Sequence, residues 1–278
     1  MNRSTPVATT LKYLALTAYL VFLAFPLFWL VSTALKTPQE LALIEPTWIP
    51  NDITFENFRA AFDEQPIVRS IFNTLLVAGV SCLVTVVLSI PAAYVMARYR
   101  SVLSRLTLVW VLLSQIFPFI LVIIPLFLLL RDLGLYDTYI GLIAVYVVWS
   151  MPFALWMLRS YVETIPIELE EAASMDGASK VRTLRSVIAP LLAPGVVAAG
   201  LFAFVSAWNE FLFALVLIRD PELQTLSLTL VKFIGAEGVA RLGPLAAASL
   251  VATIPSLIFF AFMQRRLTGG LLGGAVKS

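Results

Sequence analysis

Six stretches of roughly 20 or more mostly apolar residues divide this chain, and each is long enough to cross the hydrocarbon core of a bilayer as a helix. The stretches lie at about 13–35, 71–97, 106–130, 139–158, 191–218 and 245–263. Hydrophobic residues make up 60% of the 278 residues, charged residues make up 13%, and the mean hydropathy is +0.93. The core of one soluble domain cannot hide so much apolar surface. We therefore predict an all-α, polytopic membrane helix bundle with six transmembrane helices, in which residues 1–278 form a single domain.

The lysine and arginine residues are distributed unevenly between the two sides of such a bundle. Twelve of the 19 lie on the side that carries both termini, and seven lie on the other side. Cationic residues concentrate in cytoplasmic loops, so both termini are predicted to be cytoplasmic. This topology places a long segment at about 36–70 outside the membrane and a second at about 159–190 inside. It also leaves a cytoplasmic tail at 264–278.

Several kinds of chemistry lack their usual residues in this sequence. Cys82 is the single cysteine and there is no histidine, so a disulfide within the chain and a cysteine-based metal site are excluded. The absence of histidine also removes the commonest general base. No G-x-x-x-x-G-K-[ST] phosphate loop is present. We predict a chain that is not an enzyme, with no catalytic residues and no metal ion or cofactor of its own.

The internal segment has the pattern of two short amphipathic helices. Thr164 and Pro166 suit the start of the first helix, and Gly177 suits its end. Ser179 can cap the second helix, and Pro190 ends the unit. Such helices need a cover for their apolar faces, which is either the membrane surface or another protein.

The same segment carries a motif with fixed spacing. Glu171-Ala172-Ala173 is followed after three residues by Gly177, and after nine more by Val187-x-Ala189-Pro190. This pattern resembles the cytoplasmic EAA loop of the permease subunits of ATP-binding cassette importers, which usually ends in I-x-L-P. Val187 and Ala189 depart from that ending but keep small or apolar side chains.

Shorter matches in the same order resemble the carbohydrate importers of that family. They are Asn73-Thr74, Ala93-Tyr94 with Arg98, Trp208-Asn209-Glu210-Phe211 and Gly274-Ala275-Val276-Lys277. Each match is weak alone, but together with the EAA loop they cover nearly the whole chain. The second permease subunit of maltose-type and trehalose-type importers is the nearest likeness.

The resemblance implies a function and a set of partners. The chain would be one permease of a sugar importer in a bacterial plasma (inner) membrane, beside a homologous second permease and membrane lipid. An extracytoplasmic solute-binding protein would deliver the solute, a cytoplasmic ATPase dimer would use ATP and Mg²⁺, and no nucleic acid is involved. The tail would reach the ATPase through Ala275, Val276 and Lys277. The EAA loop would form a coupling helix that docks on the ATPase through Glu171, Ala172, Ala173, Asp176, Gly177, Ala178, Lys180, Arg182 and Pro190.

Four polar residues in or near the spans are candidates for lining a solute path. Glu210 is the one ionisable residue placed well inside a span, so it either faces the path or reaches water near the outer end of its helix. Asn209 lies about 100° away around the same helix. Asn73 and Gln115 either line the path or form hydrogen bonds between helices.

Two other functions remain open at this level. A secondary transporter would need intramembrane acids and internal repeats, whereas the sequence has one such acid and no clear repeat. An importer of the same family for a peptide, a polyol or glycerol phosphate is the other alternative. A phosphate would call for a cation in the path, and no lysine or arginine lies deep in a span.

Overall fold

The computed structural model describes residues 6–99, 101–235 and 240–274, and almost all of this described chain is helical. The helices are α1 (Pro6–Leu35), α2 (Pro38–Leu41), α3 (Glu56–Glu64), α4 (Ile67–Arg98), α5 (Val102–Ile116), α6 (Ile123–Asp132), α7 (Tyr139–Thr164), α8 (Glu168–Met175), α9 (Lys180–Thr183), α10 (Ala189–Leu191), α11 (Ala193–Trp208), α12 (Leu212–Leu217), α13 (Leu226–Val231) and α14 (Leu242–Gly274). A 3₁₀ turn (Phe119–Leu121) precedes α6, and a π-helical turn (Leu184–Ile188) joins α9 to α10. In these ranges the only β-type pairing is an isolated bridge between Ile234 and Ala240. The all-α prediction is confirmed.

The chain divides into two compact units. The first comprises Met1–Val68 and Thr229–Ile254, and the second comprises Arg69–Leu228 and Pro255–Ser278. The EAA motif and the Trp208–Phe211 motif both lie in the second unit.

Four of the described helices are long and apolar enough to cross a membrane. They are Thr9–Leu35, Ile67–Arg98, Tyr139–Thr164 and Leu242–Gln264. A fifth span is reached if Lys180–Leu191 and Ala193–Trp208, which meet at a bend of 77°, are taken as one. These helices coincide with four or five of the six predicted stretches.

The predicted third span, 106–130, consists of two helices rather than one. α5 ends at Ile116 and α6 begins at Ile123. Pro118 disfavours a helical backbone at the residue before it, and Phe117 is accordingly extended, with φ −70° and ψ 127°. The predicted fifth span, 191–218, is also interrupted, because α11 ends at Trp208 and α12 begins at Leu212. Apolar composition therefore located both stretches but not the breaks within them.

α1 is an apolar helix that the described chain leaves uncovered. None of the residues in its most apolar stretch is buried, whereas 33% of the corresponding stretch of α4 and 44% of that of α7 are. Phe22, for example, is 74% exposed. A helix of this kind needs lipid or another chain to cover its surface.

In the first unit, the segment after α1 folds back onto the end of that helix. The Asn57 side-chain amide donates to the carbonyl oxygens of Ala34 (3.0 Å) and Lys36 (2.7 Å). The Lys36 ammonium donates to the Thr47 carbonyl oxygen, and the Thr47 hydroxyl donates to the Glu40 carboxylate. Lys36, Glu40 and Asn57 are all buried, so this polar network holds a defined structure in the segment predicted at 36–70.

The core of the second unit is built where small residues allow helices to approach closely. Ala93 of α4, Ala154 of α7 and Ala199 of α11 are fully buried in one cluster. The Cys82 thiol of α4 donates to the Gly200 carbonyl oxygen of α11 at 3.2 Å. Close contact between small residues is how helices associate in membranes, where lipid removes the hydrophobic driving force. This packing holds α4 beside α7 and α11, the two helices that flank the internal loop.

Candidate functional site

The internal loop, residues 159–190, is called the coupling loop below, and α7 enters it further than predicted. α7 continues to Thr164, whose hydroxyl donates back to the Tyr161 carbonyl oxygen at 2.8 Å. The prediction that Thr164 caps the first loop helix is therefore wrong. The physical reason is that Pro166 disfavours a helical backbone at Ile165, which is extended with ψ 124°, so α7 ends there and α8 starts afresh.

The turn between α8 and α9 is a glycine-dependent helix stop. Gly177 has φ +77°, which is the left-handed region that glycine adopts without a steric penalty. Its amide donates to the Ser174 carbonyl oxygen at 3.0 Å, and the Ala178 amide donates to the Ala173 carbonyl oxygen at 2.9 Å. This pair of bonds is a Schellman motif, which satisfies the last carbonyl groups of α8. The Ser179 hydroxyl then accepts from the Arg182 amide at 3.4 Å, so the predicted stop at Gly177 and cap at Ser179 are confirmed.

Parts of the coupling loop differ in burial. Ile188, in the π-helical turn, is fully buried against Tyr94 and Val162, which anchors the end of the loop in the core. Around α8 and the start of α9, by contrast, several apolar side chains are exposed. Those with the largest exposed fractions are Ile167 (51%), Leu169 (43%), Met175 (89%) and Val181 (59%). Apolar side chains clustered in this way on a short projecting helix mark an interaction surface.

A partly buried ion pair ties α8 to the C-terminal end of α4. The Arg98 Nε donates to Glu170 Oε1 at 2.5 Å, and the Tyr94 hydroxyl donates to Glu170 Oε2 at 2.7 Å. Both charged side chains are only 13% exposed. Arg98 also donates to the Ile165 carbonyl oxygen at 2.7 Å. The coupling loop therefore meets α4 through a fully hydrogen-bonded carboxylate.

A second, exposed contact joins α9 to the same end of α4. The Lys180 ammonium donates to the Tyr99 hydroxyl at 2.5 Å and lies 4.9 Å from the centre of the ring. Sequence reasoning singled out Tyr94, Arg98 and Lys180 but missed Glu170. The spacing of Tyr94 and Arg98, four residues apart on one helical face, was a usable signal that a single partner lies opposite both.

Glu210 lies in the break between α11 and α12 rather than inside a helix. Its Oε1 accepts from the Phe213 amide at 2.7 Å, and its Oε2 accepts from the Ala214 amide at 3.1 Å. The buried Tyr146 hydroxyl also donates to Oε2, at 2.7 Å. The carboxylate thus stabilises the first turn of α12, where free amide groups favour an anion. The expectation that Asn209 and Glu210 lie on one continuous helix is wrong, because α11 ends at Trp208.

The other path candidates do not share hydrogen-bond partners within the described chain. Asn73 is buried, donates to the carbonyl oxygens of Glu222 (2.8 Å) and Gln224 (2.9 Å), and accepts from the Tyr139 hydroxyl at 2.7 Å. Asn209 is exposed and donates to the Val205 carbonyl oxygen of α11 at 2.8 Å, and Gln115 is exposed on α5. Among the described residues, no hydrogen bond joins any two of the four candidates.

The predicted tail contacts, Ala275, Val276 and Lys277, lie outside the described residues. The remaining members of the predicted coupling set lie together in the coupling loop. Glu171, Ala172, Asp176, Lys180, Arg182 and Pro190 are exposed, and Ala173 and Ala178 are half-buried.

Comparison with known proteins identifies the class of protein to which this chain belongs. Residues 89–271 match the family described as binding-protein-dependent transport system inner membrane component. The chain is 35% identical to the diacetylchitobiose uptake system permease protein DasC of Streptomyces coelicolor, covering 94% of this chain and 95% of that protein. It is 37% identical to the sulfoquinovosyl glycerol transport system permease protein SmoH of Agrobacterium fabrum, covering 96% and 93%.

The fold agrees with this match. The solved structure of a bacterial ABC transporter that imports the acidic polysaccharide alginate aligns with a TM-score of 0.79 at 23% identity, over 95% of this chain and 98% of that one. The described helices therefore share the fold of that transporter chain. The chain belongs to the binding-protein-dependent transport family, as the permease component of an ABC importer. The predicted family is confirmed, and a secondary transporter is not favoured.

Proposed function

We propose that this chain is one of two homologous permeases of an ATP-driven sugar importer and forms half of its translocation path. The observation that carries the proposal is the coupling loop, which combines the EAA spacing with an exposed apolar surface and a fixed attachment to α4. A sugar is the favoured solute because DasC and SmoH are named for the transport of diacetylchitobiose and sulfoquinovosyl glycerol, both sugar-containing molecules.

The proposed topology has six spans with both termini in the cytoplasm of a bacterium. α5 and α6 together form the third span, and α11 and α12 together form the fifth. The excess of lysine and arginine on the side of the termini supports this orientation. Both compact units belong to one permease domain over residues 1–278, with the segment at 36–70 outside and the coupling loop inside.

We infer that an ATPase subunit covers the exposed apolar side chains of α8. ATP and Mg²⁺ are used by a cytoplasmic ATPase dimer, and this chain binds no cofactor. The residues at the contact are Glu171, Ala172, Ala173, Asp176, Gly177, Ala178, Lys180, Arg182 and Pro190, with Ala275, Val276 and Lys277 of the tail added. A protein partner is favoured over the membrane surface because the first turn of α8 carries Glu168, Glu170 and Glu171, and anionic lipid repels carboxylates.

A substitution at Met175 tests the proposed contact between α8 and the ATPase. We expect Met175→Glu to lower the amount of co-purifying ATPase roughly tenfold or more, because a charge replaces an apolar anchor at the centre of the surface. The thermal unfolding temperature of the chain should not change, since the side chain is 89% exposed. Ile44→Glu is the matched control, because Ile44 is 99% exposed in the segment at 36–70. Unchanged ATPase recovery with Met175→Glu would place the contact elsewhere.

The path itself requires a second permease. α1 is uncovered in the described chain, and further apolar side chains are exposed along α5 and α6, so both lipid and a homologous subunit have surface to contact. Gln115 and Asn209 have exposed side chains that are available to a sugar hydroxyl. Asn73 and Glu210 contribute to the path by holding its walls in place, because their polar groups already have partners within the chain.

Reconstitution tests the function as a whole. The chain, tagged at its native level and extracted in mild detergent, should co-purify with a soluble ATPase and a second permease. In proteoliposomes that contain this complex, the binding protein and internal ATP, we expect uptake of one of trehalose, maltose or diacetylchitobiose. Uptake by this chain alone, without ATP, would instead identify a secondary transporter.

A further inference from the structure

We propose that α4 is the transmission element of this permease, which links the extracytoplasmic loop Arg219–Thr225 to the coupling loop. The inference rests on the proposed function and adds to it the route by which binding-protein docking is communicated to the ATPase. The loop Arg219–Thr225 is called the outer loop below. All the contacts that support the proposal lie within the second unit.

The outer end of α4 is hydrogen-bonded to the outer loop. Asn73 binds the Glu222 and Gln224 carbonyl oxygens through its side-chain amide. The Thr74 hydroxyl accepts from the amide of Leu226, directly after the loop, at 2.8 Å. Asn73 and Thr74 are each only 2% exposed, so these bonds are shielded from water and hold the loop backbone on the helix.

The inner end of α4 is bound to the coupling loop by the contacts of Tyr94 and Arg98 with Glu170. Removing either charge from this partly buried pair leaves the other without its partner. α4 is one helix of 32 residues that contains Pro91, and its stretch between the attachments at Asn73 and Arg98 is about 38 Å long. A helix of this length spans the bilayer and connects the two loops at which the proposed partners dock.

The middle of α4 is packed through small and apolar side chains and lacks the strong polar contacts found at its ends. The hydroxyl groups of Ser81, Thr85 and Ser89 are buried on one face, four residues apart, and none has a hydrogen-bond partner within the described chain. Here Cys82 donates a weak thiol hydrogen bond to Gly200. A helix that is bound at both ends and contacted by small, unbonded side chains in the middle is able to shift as one body.

The assembled transporter in nanodiscs, with its ATPase, second permease and binding protein, tests this role. We expect Glu170→Gln to reduce the stimulation of ATP hydrolysis by sugar-loaded binding protein about tenfold, a typical size for coupling between sites. Basal hydrolysis should persist, because the exposed surface of α8 is retained. Asn73→Ala and the isosteric Thr74→Val should give the same pattern from the opposite end of the helix.

Glu163→Gln is the matched control for the inner end. Glu163 pairs with Arg159 at 2.7 Å at the same end of the bundle, but both residues belong to α7, so this pair joins no second element. We expect this variant to keep full stimulation. Glu170→Gln with normal stimulation would overturn the proposal, and so would equal losses of basal and stimulated hydrolysis with a lowered unfolding temperature.

A covalent replacement for the inner contact gives a second readout. In a Cys82→Ser background, which keeps a donor for Gly200, Tyr99→Cys and Lys180→Cys are joined by a short bifunctional thiol reagent. The cross-link should restore stimulation to the Glu170→Gln variant, because it ties the coupling loop to α4 again. Because Lys180 also belongs to the proposed ATPase contact, the control is the same cross-linked cysteine pair with Glu170 intact. A completed cross-link that gives no recovery relative to this control would overturn the proposal. Absence of stimulation in the wild-type complex would instead count against the proposed function.

Discussion

Gly177→Pro should abolish ATP-driven uptake while leaving the chain in the membrane. Proline holds φ near −65°, whereas Gly177 has φ +77°, and proline also lacks the amide that donates to the Ser174 carbonyl oxygen. The turn between α8 and α9 must then open and change the direction of α8. A penalty of about 3 kcal/mol corresponds to roughly a hundredfold loss of the docked conformation. Uptake and binding-protein-stimulated ATP hydrolysis in proteoliposomes are the measurements.

Gly134 supplies a closely matched control for this substitution. It has φ +69°, its amide donates to the Arg131 carbonyl oxygen at 3.0 Å, and, as at Gly177, no atom lies within 4 Å of an added Cβ. Gly134→Pro should therefore impose the same backbone strain between α6 and α7. We expect a similar loss of thermal stability without selective loss of ATPase coupling. Equal transport by Gly177→Pro and wild type would show that ATPase coupling does not depend on the turn at Gly177.

Glu210→Ala should destabilise the permease far more than removal of an exposed carboxylate. Its carboxylate accepts hydrogen bonds from two backbone amides of α12 and from the hydroxyl of buried Tyr146. Their loss leaves buried donors unsatisfied, which we expect to lower the free energy of unfolding by about 3 kcal/mol. Thermal unfolding in detergent measures the effect, and Glu45→Ala, at an exposed position, is the control.

Two more conservative substitutions distinguish a positioning role for Glu210 from a role as a solute ligand. Tyr146→Phe removes one of its three donors, and Glu210→Gln keeps the shape of the side chain but removes the charge. If Glu210 positions α12, both variants should lower the unfolding temperature and leave the KM for uptake unchanged. A large rise in KM for Glu210→Gln at an unchanged unfolding temperature would identify Glu210 as a sugar ligand.

Local signals in the sequence were sufficient for much of the coupling loop. The helix stop at Gly177 and the helix cap at Ser179 can be predicted from residues within five positions of each, and the structure contains both. The start of α8 was mispredicted because Thr164 suits either end of a helix, and continued packing of α7 decides which. Local preference is a weak guide wherever tertiary contacts favour a longer helix.

The contacts that join distant elements were beyond local reasoning. Glu170 lies 72 residues from Arg98 along the chain, and Tyr146 lies 64 residues from Glu210. Glu210 was interpreted as a charge inside a span because its neighbours are apolar, and no local pattern marks the end of α11 at Trp208. Apolar composition reports which residues avoid water, not where the backbone of a span is broken.

The uncovered surface of α1 has a consequence for how the cell makes this protein. If the proposed second permease covers α1, a copy synthesised without that partner has this apolar helix surrounded by lipid alone, because the described chain does not bury it. We expect such an orphan subunit to be a substrate for membrane quality-control proteases. The abundance of this permease would then follow the scarcer of the two proposed membrane subunits, so the exposed surface of α1 favours balanced synthesis of the pair.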